Sequence, residues 1–303
     1  MKKLKISVSM IVKNEEEMLE DCLKTISGFD EIVISDTGSE DRTVEIAKKY
    51  TDKVYTDYKW RDNFAEARNV SKSKCTGDWI FVIDADETLE VSVEDVRNAV
   101  KKAEEGGYQF INVQMEGRNK KNIHTSQRLF KNIPEIEWKG AAHNYLEYKG
   151  KKPIKKYDSD IKMIYGYSPA HKRDPNRTLR ILKKAVEEDN TMVREKFYLA
   201  REYFYKKDYK KCIELTKDYL KTAYWKPEIA EAYIMKAKCY WMLGGRKNAN
   251  LAIESCIDAI RINPDFKEAF VLISEMYYSP LKEVWLEHAK ACKNTGVLFI
   301  RTK

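Results

Sequence analysis

The stretch Trp79-Ile80-Phe81-Val82-Ile83-Asp84-Ala85-Asp86-Glu87 reads as a buried strand that ends in carboxylates. At the carboxyl edge of an open α/β sheet, such groups face the crevice where these sheets bind ligands. Side chains two apart on an extended chain point the same way, so Asp84 and Asp86 are expected to converge on one ligand. Two hard oxygen donors suit Mg²⁺ or Mn²⁺, ions that bridge the phosphates of a nucleotide. The competing reading of this D-x-D is a solvated turn leading into the next helix.

Two further segments belong to the same edge. Met10-Ile11-Val12-Lys13-Asn14-Glu15-Glu16 ends a first strand with polar groups, and Ser35-Asp36-Thr37-Gly38-Ser39-Glu40-Asp41-Arg42-Thr43 ends a second. Short apolar runs alternate with helical patterns through this half, the signature of βαβ units in a mostly parallel sheet. Strands are expected at 6–12, 31–35, 53–55 and 79–83, and extended chain at 110–115 and 126–130. Helices are expected at 15–26, 43–50, 64–74 and 91–102; in the first of these, Met18, Leu19, Cys22, Leu23 and Ile26 share one face.

Beyond about Asn176 only helical patterns remain, at 177–189, 193–206, 209–221, 229–243, 249–262 and 267–278, with a closing helix at 285–292. Ala200 and Tyr203 match Ala237 and Tyr240, and Ala252, Ala259 and Pro264 have a spacing found late in tetratricopeptide repeats. Residues 246–250 read as extra loop. Two repeats and a partial third are expected, and stacked repeats offer a face for a polypeptide or for a second copy of the chain.

At 303 residues, with 43% hydrophobic and 34% charged residues, the chain is a globular protein of one large or two ordinary domains. A mean hydropathy of −0.63 and the lack of any long uninterrupted apolar run argue against a membrane-spanning segment. Met1-Lys2-Lys3-Leu4-Lys5 leads directly into a strand-like segment without the pattern of a signal peptide, so a cytoplasmic location is expected. The six cysteines are widely spaced and include no C-x-x-C pair, which favours buried thiols over zinc or a disulfide framework. Of the net charge of +8, the excess lies in residues 149–184, where twelve basic residues face Asp158, Asp160 and Asp174. Any anionic partner is expected there, although no DNA- or RNA-binding motif occurs and the run at 149–156 reads as a solvated hairpin or loop.

Taken together, the three motifs at the strand ends resemble the family 2 glycosyltransferases over roughly residues 5–145. The resemblance implies a GT-A nucleotide-sugar-binding domain over 1–172, of α/β class, followed by an all-α domain of tetratricopeptide-like helical repeats over 173–303. It also implies an inverting, divalent-metal-dependent transfer of a sugar, a hexose by preference, from a nucleotide-diphosphate donor. A UDP-sugar is the favoured donor and Mn²⁺ or Mg²⁺ the cofactor. Carried over residue by residue, the resemblance puts Val12, Asn14 and Glu16 near the base and ribose, with Asp36 hydrogen-bonding the nucleoside. Asp36 could instead cap the helix region at Thr43. In Trp60-Arg61-Asp62-Asn63-Phe64-Ala65-Glu66-Ala67-Arg68-Asn69, Arg68 would approach the diphosphate, the alternative being a surface salt bridge. Asp84 and Asp86 correspond to the metal-binding pair, with Asp86 the direct ligand.

Gln127-Arg128-Leu129-Phe130 followed by Trp138-Lys139-Gly140-Ala141-Ala142-His143 resembles a subgroup that includes lipopolysaccharide-core and peptide glycosyltransferases with C-terminal helical repeats, and this adds Arg128 to the donor site. Members of that subgroup often carry an acidic residue after the histidine, where this chain has Asn144. The base that activates the acceptor therefore stays open between Glu137, His143 and Asp174. A third metal ligand is sought in His143 or His171 and expected at His171, in the segment joining the two domains. The acceptor is open among glycan, lipid, peptide and protein, and a homodimer through the repeats is compatible with the pattern. The rival reading is a non-catalytic helical-repeat scaffold that retains a nucleotide-binding domain.

Overall fold

The computed structural model describes residues 4–119, 123–166 and 174–293. The chain divides into two compact units, 1–175 and 176–303. Unit 1 is built on β1 (Ile6–Val12), β2 (Glu31–Asp36), β3 (Val54–Tyr55), β4 (Trp79–Val82), β5 (Glu87–Leu89), β6 (Phe110–Gly117), β7 (Ile123–Lys131), β8 (Ile136–Lys139), β9 (Tyr145–Tyr148) and β10 (Lys156–Tyr165). Its helices are α1 (Leu19–Ile26), α2 (Thr43–Lys48), α3 (Phe64–Ser73) and α4 (Val93–Glu105).

Eight strands form one sheet in the order β3-β2-β1-β4-β7-β6-β10-β5, while β8 and β9 pair as a separate antiparallel ribbon. The first four strands are mutually parallel. Beyond β4 the sheet is mixed, because β7 runs antiparallel to both β4 and β6 and β5 runs antiparallel to β10. The expectation of a mostly parallel sheet thus holds for its first half.

Alternation along β4 shows why the central strands are apolar throughout. Trp79 and Phe81 join a core with Leu19, Leu23 and Ile26 of α1 and Val96 and Val100 of α4. Ile80 and Val82 join a second core with Ala65 of α3 and with Ile136 and Trp138 of β8. Both faces are covered, so neither can carry polar side chains without partners. Side-chain caps fix two of the helices: Asn63 accepts the Glu66 N–H at 3.0 Å at the start of α3, and Ser92 and Asp95 form a reciprocal capping box on α4.

Unit 2 holds α5 (Arg177–Glu188), α6 (Val193–Tyr205), α7 (Tyr209–Leu220), α8 (Lys226–Leu243), α9 (Arg246–Ile262), α10 (Lys267–Ser274) and α11 (Leu281–Ala291). Neighbours in sequence pack on one another, with α6 on α7, α8 on α9 and α10 on α11. The loop expected at 246–250 is the first turn of α9. Gly244 and Gly245, with φ of 69° and 82°, complete the reversal before it, so no further loop is needed. Five cysteines are buried and all six are free thiols. Among the described residues no helix is long and apolar enough to cross a membrane.

Candidate functional site

The parallel strands β1, β2 and β4 end at one edge, and the direction of strand order reverses beside β1, which creates a crevice there. The chain segments after β1 and β2 are bonded into one another at this edge. The Val12 carbonyl accepts the Thr37 N–H at 2.9 Å and the Thr37 hydroxyl at 3.1 Å. Asn14, held at a left-handed φ of 56°, donates its N–H to Ser39 Oγ and accepts the Glu40 N–H on Oδ1, both at 2.8 Å. Glu16 pairs through Oε2 with Arg42 Nε at 3.0 Å. Asp36 is buried, and its Oδ2 accepts the N–H groups of Gly38 at 2.9 Å and Ser39 at 3.0 Å. Gly38 has a φ of 109°, which a residue with a side chain rarely adopts. Asp36 therefore caps its own turn; the N–H of Thr43, at the start of α2, is taken by Asp41 at 2.9 Å.

Across β1, the segment after β4 departs from the extended form. The Glu87 N–H donates to the Asp84 carbonyl at 3.0 Å, so Asp84, Ala85 and Asp86 lie in a tight turn between β4 and β5. The premise that alternation along an extended chain aims both carboxylates alike does not apply, because the strand ends at Val82.

Asp84 is held by two guanidiniums. Arg68 Nη2 of α3 donates to Oδ1 at 2.8 Å, and Arg128 Nη1 of β7 lies 3.5 Å from Oδ2. Burial by itself would raise the Asp84 carboxyl; the two guanidiniums outweigh it and hold it at about 2. Arg128 Nη2 also pairs closely with Glu87 Oε1, and Glu87 Oε2 accepts the Asp84 N–H at 2.9 Å. Burial pushes the Glu87 carboxyl upward, against the pull of Arg128. Arg68 lies over the Trp138 ring, 5.1 Å from its centroid, and Asn69 fixes that tryptophan by exchanging hydrogen bonds with its backbone N–H and carbonyl at 2.9 and 3.0 Å. The Nε atoms of both Arg68 and Arg128 are buried without a hydrogen-bond partner.

Arg128 owes its placement to a β-bulge. The β6–β7 register passes from Ile111 opposite Leu129 to Asn112 opposite Gln127, which leaves Arg128 as an extra residue in β7. Bulges of this kind re-aim a side chain. Here the re-aimed group reaches the Asp84 turn that follows the neighbouring strand β4.

A cavity of about 290 Å³ opens beside this cluster, lined by Arg68, Asp84, Ser126, Gln127, Arg128, Trp138, Asn144, Tyr145 and Leu146. Arg68, Asp84 and Arg128 are thus brought together, and Val12, Asn14, Glu16 and Asp36 form a second group on the neighbouring strand ends. The candidate bases are placed differently. Glu137 lies on β8 beside the cavity-lining Trp138, but its carboxylate pairs with Lys149 at 2.8 Å, and that lysine holds it below its usual range. His143 is exposed at a φ of 51°, immediately before Asn144 and Tyr145 of the cavity wall. Asp174 is half-buried near the end of unit 1 and is not part of the cavity lining. His171 lies outside the described residues. The sequence does not mark Tyr145, Leu146 and Ser126 as wall residues, because a short ribbon and one strand face leave little trace in it, whereas Glu87 lies inside the acidic motif, where the pattern alone assigns it no role.

Asp84 and Asp86 carry hard carboxylate oxygens of the kind that bind Mg²⁺ or Mn²⁺ together with phosphate oxygens, and the two arginines suit the phosphates themselves. Among the described residues no three His, Cys, Asp or Glu side chains converge on one point. The donor set fits a cation that takes one or two carboxylates and shares the remaining positions with a phosphate ligand and water.

Comparison with known proteins bears on this geometry. The sequence model of the family described as glycosyl transferase family 2 matches residues 7–188. A TPR repeat-containing protein of Synechococcus elongatus is 34% identical over 145 residues, covering 47% of this chain and 35% of that protein. The SPbeta prophage-derived glycosyltransferase SunS of Bacillus subtilis is 39% identical over 83 residues, 27% of this chain and 20% of that one. The matches thus span about a third or less of these curated relatives. Among solved structures, S. aureus TarS 1-349 in complex with UDP-GlcNAc aligns over 95% of this chain and 88% of that one, at 14% identity and a TM-score of 0.45.

Proposed function

The chain belongs to glycosyl transferase family 2, and from that premise we propose that it transfers a sugar, a hexose by preference, from a nucleoside-diphosphate donor to an acceptor hydroxyl or other nucleophile, with inversion at the anomeric carbon. The observation that carries the reading is the cluster of Arg68, Asp84 and Arg128 beside a cavity at the carboxyl edge of the sheet. In this proposal the group of Val12, Asn14, Glu16 and Asp36 takes the nucleoside. Asp36 fixes the Gly38 turn that borders it, and Arg68 and Arg128 face the diphosphate with the N–H groups that remain to them. Asp86, with Asp84, would hold Mn²⁺ or Mg²⁺, and the cation when bound supplies positive charge against the departing diphosphate.

The acceptor attacks the anomeric carbon from the side opposite the nucleotide, the bond to the diphosphate oxygen breaks, and the acceptor proton passes to a base. His143 is the candidate that fits this last role best, since it precedes two residues of the cavity wall while Glu137 is engaged with Lys149. A neutral imidazole can accept the proton of an attacking nucleophile as a general base. UDP-sugars lead the donors to be tried, and the helices of unit 2 are proposed to engage the acceptor or a second copy of the chain.

The test is a thermal-shift and calorimetric screen of UDP, GDP and their sugars with Mn²⁺, Mg²⁺ or EDTA, since a ligand bound by the native state raises its melting temperature. One nucleotide family is expected to stabilise the protein in a metal-dependent way. Asp86→Ala is expected to remove that dependence and to lower transfer and donor hydrolysis by about 100-fold or more with the fold intact. Stabilisation by none of them would favour the scaffold reading, and full activity in Asp86→Ala would sink the metal assignment.

A further inference from the structure

Glu87 is the first residue of β5, is 4% exposed, and does not line the cavity. Both of its carboxylate oxygens are nevertheless spent on groups that do. Oε2 accepts the backbone N–H of Asp84 at 2.9 Å, while the Glu87 N–H donates to the Asp84 carbonyl at 3.0 Å, so the turn that presents Asp84 and Asp86 is closed from both sides by one residue. Oε1 pairs with Arg128 Nη2 more closely than Asp84 does with Nη1, at 3.5 Å. Arg128 stands in the bulge as an extra residue of β7 with no partner opposite it on β6, and the bulge aims it without tying its guanidinium down. The hold on its guanidinium therefore comes from carboxylates, and chiefly from Glu87. Charge agrees with this division of labour. Arg68 pairs with Asp84, and Arg128 pairs with both Asp84 and Glu87; without Glu87, both guanidiniums would pair with Asp84.

We propose that Glu87 is a positioning residue of the donor site: it anchors Arg128 and the Asp84–Asp86 turn in one frame, so that the arginine and the acidic pair meet the diphosphate in fixed relation. The inference rests on the donor-site reading above and deepens it. Its action runs through Arg128, and this separates it from a residue that merely fills the core. A guanidinium no longer anchored still attracts the diphosphate, so ground-state binding of the donor persists. What suffers is the alignment of charge on the departing group, which matters most in the transition state.

The experiment compares the full chain with Glu87→Gln, Glu87→Asp, Arg128→Gln and the Glu87→Gln/Arg128→Gln double variant. It reads melting temperature, calorimetric affinity for UDP and GDP with Mn²⁺, and kcat and KM for hydrolysis of UDP-glucose and of the sugar nucleotides found in the screen. Glu87→Gln, which keeps shape but removes charge, is expected to lower kcat by about 10- to 100-fold while KM and the nucleotide Kd move by less than about threefold. Glu87→Asp, which keeps the charge at shorter reach, is expected to fall between the two; it also preserves the test if the glutamine variant fails to fold. The double variant is expected to be no slower than Arg128→Gln by more than about twofold, because residues that act as a unit do not contribute additively. An unchanged kcat in Glu87→Gln, or losses that multiply in the double variant, would overturn the positioning role while leaving the donor site standing. Failure of the unaltered chain to bind either nucleotide or to hydrolyse any sugar nucleotide would instead overturn the donor-site reading, and this inference with it.

Discussion

Glu31, at the start of β2, accepts hydrogen bonds from the Ser7 hydroxyl, from the Thr76 hydroxyl at 2.9 Å and from the Thr76 N–H at 2.7 Å, and it pairs with Lys53. Burial alone would raise its carboxyl, but these partners bring it down from 4.5 to about 2. A folded-state value below the unfolded one stabilises the native state above the unfolded pKa, and the gain is lost as pH falls from there through the folded value. Glu31 therefore contributes on the order of 2 to 3 kcal/mol at neutral pH that disappears between about pH 5 and 2. Glu31→Gln is expected to lower stability at pH 7 by that order and to flatten the acid limb of the curve over that window. Urea unfolding of both proteins at several pH values measures it, and parallel curves would contradict the assignment. The same residue shows what could be read in advance. The acidic positions at the strand ends, Asp36, Asp84 and Asp86, stand out because charge interrupts apolar strands. Their partners do not, because Arg128 lies 44 positions from Asp84 and its direction depends on a bulge that no local pattern marks.

At the scale of elements, β1, β2, β4 and the helices between them are legible because the strands are short, nearly continuous apolar runs bounded by polar residues and the helices repeat at about 3.6. The ribbon of β8 and β9 and the strand β10 are not. All four residues of β9 are half-buried, so no alternation shows, and β10 carries Lys156, Asp158, Asp160 and Lys162 on its outer positions while only Ser159, Ile161 and Met163 are buried. The basic run before β10 read as surface, and it is: residues 151–156 are all exposed. The cap of α3 gives a prediction at this scale. Asn63 holds the first turn of the helix that carries Arg68 and Asn69, so it supports both the Asp84 ion pair and the Trp138 wall. Asn63→Ala is expected to cost about 1 kcal/mol in stability, and Asn63→Asp, which keeps the accepting oxygen, nearly nothing. Denaturant unfolding of the two variants checks this; equal losses would mean that the cap is not what holds the turn.

The whole molecule poses a different question, because the family match runs to residue 188 while the compact first unit closes at 175. The difference is α5, an amphipathic helix whose Ile181, Leu182 and Ala185 are buried and which packs on α6 inside unit 2. Every described residue of the proposed donor site, from Val12 to Arg128, precedes that helix and lies in unit 1. Two truncated chains therefore have opposite expectations. Residues 1–175 are expected to fold as a monomer and to bind the nucleoside diphosphate within about tenfold of the full chain, since the cores of the sheet and the nucleotide edge are complete in that unit. Residues 1–188 keep α5 but lose α6, which bares an apolar stripe whose two large side chains are each worth roughly 2 kcal/mol of burial. That longer fragment is expected to self-associate more strongly than the shorter one, although it matches the family more fully. Light scattering after size exclusion, with calorimetry on the same samples, decides the matter. If 1–188 is the better-behaved fragment and 1–175 binds no nucleotide, then α5 belongs functionally to the sheet, and the donor site is not the property of unit 1 alone.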